Sequence, residues 1–219
     1  MGAKAWFAAF SNGDPKQVLA NAPVLDVAAT RAFLAEMFPD QSVEDLGETT
    51  LFDLDPRKRE IRAGVYGDLV ILAHEGFAKD KPSDIPRAML AGAAFETTYV
   101  HATHSVVDWC AISQWKNGEL VRSLSLAPDN GIIETIGQPM PFESPFWNGE
   151  FAMDDEDEYP LPFHPLDLSE AALAATVGFG FEGDPNTWVC DPADIPILSF
   201  KIGRAKSGGI LGKIKGLFG

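Results

Sequence analysis

Along the first two hundred residues, apolar positions follow two different rhythms. Residues 4–11 (KAWFAAFS) form a short apolar run that predicts a strand. Residues 61–75 (IRAGVYGDLVILAHE) predict two strands, or one interrupted at Gly67. Helical spacing appears in residues 25–39 (LDVAATRAFLAEMFP), with Asp26 as N-cap and Pro39 as the stop. Residues 82–95 (PSDIPRAMLAGAAF) predict a second, short helix capped near Ser83. Residues 166–179 (LDLSEAALAATVGF) predict a third, with Asp167 at its start and Gly178 past its end.

Residues 97–134 carry the clearest local signal. Asn117-Gly118 stands between two runs rich in β-branched and aromatic residues, which predicts a hairpin with a two-residue type I′ turn. An unbroken ladder then pairs Lys116 with Glu119, Trp115 with Leu120, Ser113 with Arg122 and Cys110 with Ser125. Alternation places Val107, Trp109, Ala111 and Trp115 with Leu120, Leu124 and Leu126 on a core face. The opposite face would hold His104, Asp108, Cys110 and Gln114 beside Ser123 and Ser125, either hydrated or covered by residues 139–147 (PMPFESPFW). The expectation is an α+β domain over 1–200: a mainly antiparallel sheet with a central Asn-Gly hairpin and about three packing helices. A separate basic, Gly-rich tail occupies 201–219.

The polar face is where chemistry could be sought. A nucleophile, base and orienter can be drawn from Cys110 or Ser125, His104 and Asp108, which would make a hydrolase. The competing reading is an ordinary polar sheet face. His101 and His104 (HATH) have the spacing of metal ligands on a helix, but the neighbouring Tyr, Val, Thr and Trp favour a strand, where the two rings point to opposite faces. His101 is then expected in the core as a hydrogen-bonded histidine, and no metal is assigned. The run DDEDE (154–158) lacks the spaced Asp/Gly pattern of a calcium loop and reads as a solvated acidic loop. The tail segment GGILGKI has the wrong spacing for a phosphate loop, and no dinucleotide fingerprint is present, so no cofactor is expected.

Charge separates the two regions. The chain has 219 residues with 32 acidic and 17 basic side chains. Lys201, Arg204, Lys206, Lys213 and Lys215 stand in 201–219 with no acid among them, which leaves twelve basic groups against all the acids in 1–200. So acidic a body disfavours nucleic acid, whose binding rests on neutralising phosphates. It would suit an acidic inhibitor or immunity-type protein that covers a basic partner. The N-terminal apolar run is too short for a signal-peptide core, so a cytoplasmic location with Cys110 and Cys190 as thiols is expected.

The tail ends GGILGKIKGLFG (208–219). On a helical wheel Ile210, Leu211, Ile214, Leu217 and Phe218 fall within an arc of about 120°, flanked by Lys213 and Lys215, with Gly212 and Gly216 behind. That pattern suits a helix lying in a membrane interface. It resembles the short C-terminal membrane-targeting helix of the bacterial division-site-selecting ATPase, although the body shows no ATPase motif. The expected partner is an anionic membrane surface or a protein groove, reached through 208–219. The localisation expected is cytoplasmic, peripheral on the inner face of the membrane or within a protein assembly.

The stretches MGAKAWF, YVHATHSVVDWCA, LVRSLSLAPDNGIIETIGQPMPFESPFW and YPLPFHPLDLSEAAL are similar to an uncharacterised bacterial family, a domain of unknown function common in actinobacteria. The resemblance spans most of 1–200 and implies neither an activity nor catalytic residues. The basic tail stands outside that pattern.

Overall fold

The computed structural model describes residues 4–90, 94–153 and 159–203. The chain begins with β1 (Lys4–Ser11), a strand whose alternate residues are buried on both sides: Phe7 and Ala9 on one, Ala8 and Phe10 on the other. A strand without a polar face must lie inside a sheet covered on both faces. β1 does so, pairing with β4 (Leu69–Ala73) and with β5 (Thr97–His104). Among the described residues the sheet has nine strands in the order β2-β9-β3-β4-β1-β5-β6-β7-β8. The others are β2 (Val43–Thr50), β3 (Glu60–Tyr66), β6 (Trp109–Lys116), β7 (Glu119–Ala127), β8 (Gly131–Ile136) and β9 (Pro196–Ile202). All the strand pairs are antiparallel.

Among the described residues four α-helices accompany the sheet: α1 (Pro15–Ala20), α2 (Val27–Met37), the single turn α3 (Ser144–Trp147) and α4 (Pro165–Thr176). Asp26 caps α2 as expected, its carboxylate accepting from Ala29 N at 2.8 Å. α4 also forms where expected, and Gly178 beyond its end takes φ 83°, the left-handed conformation that closes a helix. Its cap, however, is His164, whose Nδ1 accepts from Leu166 N, while Asp167 stands inside the first turn. α4 covers one face of the sheet with Leu168, Ala172 and Leu173; α2 and the segment 75–90 cover the other with Leu34, Phe77, Ile85 and Leu90.

Two expectations need correction. The helix expected over 82–95 is a pair of 3₁₀ turns, Pro82–Asp84 and Arg87–Leu90, with 91–93 outside the described residues. Pro86 is the cause: it removes a backbone donor and holds Ile85 extended, at ψ 124°.

The second correction concerns register. The I′ turn is present, with Asn117 at φ 49° and Gly118 at φ 78°, and Lys116 pairs with Glu119 and Trp115 with Leu120. A bulge then intervenes. Gln114 pairs with Arg122, Ser113 with Ser123 and Cys110 with Leu126, not Ser113 with Arg122 or Cys110 with Ser125. One extra residue on β7 exchanges every later side chain between the two faces. Leu124 and Leu126 therefore join Cys110 and Ile112 under α4, while Ser123 and Ser125 share a face with Ala111 and Ser113. Residues 139–147 cover the Cys110 face, and what they cover is apolar.

The bulge re-aims Arg122 at Glu143. The two are 2% and 0% exposed, and their paired hydrogen bonds measure 2.9 and 2.6 Å. Arg122 also donates to Thr135 Oγ1 and to the carbonyls of Ile136 and Gly137; Glu143 also accepts from Met140 N and Trp147 Nε1. Both charges are thus fully engaged, and 137–147 is fixed against the last two strands.

Candidate functional site

The expected site residues gather around the end of the sheet where β5 turns into β6, yet they do not meet. His101 and His104 face opposite sides, as strand geometry requires. His101 lies under α4, its ring stacked on Phe7 at 5.3 Å and its Nε2 2.8 Å from Thr176 Oγ1. Burial pushes this imidazole down to about 3. It is the hydrogen-bonded core histidine expected from the strand reading.

His104 pairs with Trp109 across β6, so it shares that residue's face and not Cys110's. This differs from the expected face because Ser105–Asp108 form a turn outside the alternation. His104 lines a cavity of about 360 Å³ with Asp80, Trp109, Asp129 and Asn130. Asp108, within the turn at φ 46°, points toward His164, its Oδ2 3.7 Å from Nε2. His164 accepts at Nδ1 from Leu166 N, which leaves Nε2 to carry the proton that faces Asp108.

Cys110 is 1% exposed beneath α4. Burial pushes its thiol up to about 12 despite a hydrogen bond with Ser169, the reverse of what a nucleophilic cysteine needs. Ser125, on the opposite face, is fully buried and accepts from Trp109 Nε1 at 3.1 Å. His104 and Ser125 share a face but are separated by β6, roughly 10 Å at the usual strand spacing. The four residues His104, Asp108, Cys110 and Ser125 thus occupy two faces and a turn, with no nucleophile-to-base contact among them.

A concavity that sequence reasoning missed lies on the outer side of α4. It encloses about 570 Å³ between α4, Phe146 and Phe151, and the loop 182–188, and its lining includes Asp167, Glu170, Glu182 and Asp184 with Trp188 and, among the described residues, no Lys or Arg. The loop is built around Glu170, whose carboxylate accepts from Phe181 N and Gly183 N, both at 3.0 Å. A Cβ at Gly180 would crowd Glu170 Oε2 and stand 2.8 Å from Trp188 Nε1, so a larger residue would have to displace one of these side chains. Burial raises the Glu170 carboxyl above its usual range, against those hydrogen bonds. Carboxylates beside an indole suit a cationic group. The available signal was the glycine spacing in VGFGFEG (177–183), which marks a loop wrapped closely around something.

Among the described residues, no group of three or more His, Cys, Asp or Glu could hold a metal ion, and no helix is long and apolar enough to cross a membrane. The tail residues Ile210, Leu211, Lys213, Ile214, Lys215, Leu217 and Phe218 lie outside the described residues, as does the acidic run 154–158. A family model described as a Family of unknown function (DUF6928) matches residues 5–200. No curated protein and no solved structure matches the chain.

Proposed function

On the premise that this chain belongs to that family of unknown function, DUF6928, we propose that it is a non-enzymatic binding domain tethered to an anionic membrane surface by its C-terminal amphipathic segment. The observation that carries this reading is the arc formed by Ile210, Leu211, Ile214, Leu217 and Phe218 between Lys213 and Lys215, in a stretch beyond the residues the family model matches. Apolar groups would enter the acyl boundary, and the lysines would reach back to lipid phosphates.

Magnitudes make the tether weak when single. Burying five large apolar side chains contributes roughly 7 to 15 kcal/mol, with about 1 kcal/mol more per lysine on anionic lipid. Ordering nine backbones opposes this by roughly 9 to 18 kcal/mol. The near balance gives reversible binding by one copy and firm binding only when two or more tails are held together, so the working form is a homo-oligomer.

The dispersal of His104, Asp108, Cys110 and Ser125 removes the support for a hydrolase on that face. An N-terminal fluorescent fusion expressed in a bacterium tests the tether: signal at the membrane for the native chain, and diffuse signal for Ile214→Glu/Phe218→Glu. Equal distributions would overturn it. The carboxylate-lined concavity beside α4 favours a second reading, a cover for a basic partner. Binding of a lysine-rich peptide that weakens with salt would support it, and Glu182→Gln/Asp184→Asn binding that peptide equally well would remove it.

A further inference from the structure

The last described residue of the chain, Gly203, leaves β9 with its N–H donating to Ser42 O at 2.7 Å, on the short connection between α2 and β2. A groove of about 320 Å³ opens at this point between α2 and the β2/β9 edge. Its apolar lining is Leu34, Phe38, Pro39, Val43 and Phe200, and the Arg31–Asp45 ion pair at 2.6 Å also lines it. Asp40 is exposed on the connection beside it, whereas Glu44, between Val43 and Asp45 on β2, points to the other face. The neighbourhood is therefore apolar in the cleft, with an exposed carboxylate on the adjoining connection.

Residues 204–209 (RAKSGG) provide a link that can span up to roughly 20 Å at about 3.5 Å per residue. The next nine residues, ILGKIKGLF, combine apolar side chains with two lysines and no acid, which matches the apolar cleft and its nearby Asp40 carboxylate. The groove is at the small end for a ligand pocket, so a few side chains fit and not a whole helix face.

We propose that this groove is the resting berth of the chain's own segment 210–218. Ile214, Leu217 and Phe218 insert between α2 and β2, and a tail lysine reaches Asp40. The same apolar arc then serves groove and membrane in turn, and a membrane must compete with the berth to recruit the protein. The proposal rests on the targeting reading for its second half only; occupancy of the groove stands independently.

Hydrogen–deuterium exchange of the full chain tests it, read in peptides spanning 31–45 and compared with Ile214→Glu/Phe218→Glu. The native chain is expected to exchange several-fold more slowly there, and to reach the variant's rate when vesicles of phosphatidylglycerol and phosphatidylcholine are added. Val43→Lys, at the exposed rim, is expected to abolish the protection and to lower the lipid concentration for half-binding several-fold. Equal exchange in the native chain and the tail variant overturns the berth, even if the protein binds vesicles. Protection without vesicle binding upholds the berth and removes the membrane reading instead. Protection that grows with protein concentration assigns the groove to another copy's tail and overturns the intramolecular latch.

Discussion

Glu143 supports the strongest prediction about the body of the molecule. Replacing it by alanine leaves the Arg122 guanidinium 2% exposed with its paired acceptor gone. Unpairing a buried charge costs about 3–5 kcal/mol. Met140 N and Trp147 Nε1 lose their acceptor at the same time. A buried donor left unmet adds about 1 kcal/mol or more, so a total near 4–6 kcal/mol is expected. That is a large part of the 5–15 kcal/mol that holds a typical domain. At about 2–4 °C per kcal/mol for a chain of this size, the melting temperature should fall by roughly 8–24 °C. Urea unfolding followed by circular dichroism measures the loss, and the double variant Arg122→Met/Glu143→Leu discriminates its cause. If an unpaired charge is what hurts, the double variant recovers most of the stability lost by Glu143→Ala. A loss below about 1 kcal/mol for Glu143→Ala, or losses that simply add in the double variant, would refute the reasoning.

Three further outcomes follow from local geometry. Gly137→Ala should cost more than Gly67→Ala, although both sites have positive φ (77° and 62°). A Cβ at Gly137 would stand 1.9 Å from the Val121 carbonyl oxygen, whereas Gly67 has no neighbour within 4 Å; equal losses in urea unfolding would contradict this. In thiol labelling of the native protein near pH 8, Cys190, half-buried with its thiol pushed up to about 11, should react slowly. Cys110, fully buried and pushed up to about 12, should react only on unfolding, and rapid labelling of Cys110 would contradict its placement under α4. His101 titrates in the unfolded chain near its ordinary value of 6.5, but in the fold only near 3, so between these values the unfolded state binds a proton that the native state refuses. Stability should therefore fall as pH drops through this window, with a contribution approaching about 1.4 kcal/mol per pH unit. His101→Gln should flatten that slope, and an unchanged slope would contradict the burial.

The sequence made much of the fold legible because several elements carry their own instructions. β1 has a continuous apolar run, α2 has Asp26 before its first turn, α4 has Gly178 after its last, and the hairpin has Asn117-Gly118 between two β-rich runs. What it concealed depends on contacts between distant segments. The bulge on β7 opposite Gln114 and Trp115 serves the pairing of Arg122 with Glu143, residues 21 positions apart, and alternation along one strand cannot detect it. That slip moved Ser123 and Ser125 to the face opposite Cys110, and the Ser105–Asp108 turn put His104 there too; together they disperse the candidate catalytic set. Pro86 did carry a local warning against the helix over 82–95 that the apolar spacing of that segment obscured. The concavity around Glu170 arises only when the 180–188 loop folds back on α4, and no periodicity along the chain encodes that.

The terminal amphipathic segment is proposed to bring this acidic domain to anionic lipid. Sedimentation of the full chain with vesicles containing phosphatidylglycerol, and with vesicles of phosphatidylcholine alone, measures it most directly. Reversible binding to the anionic vesicles only is expected, weaker as salt rises and absent in Ile214→Glu/Phe218→Glu. Failure of the native chain to bind, or binding that the double substitution leaves unchanged, would contradict it.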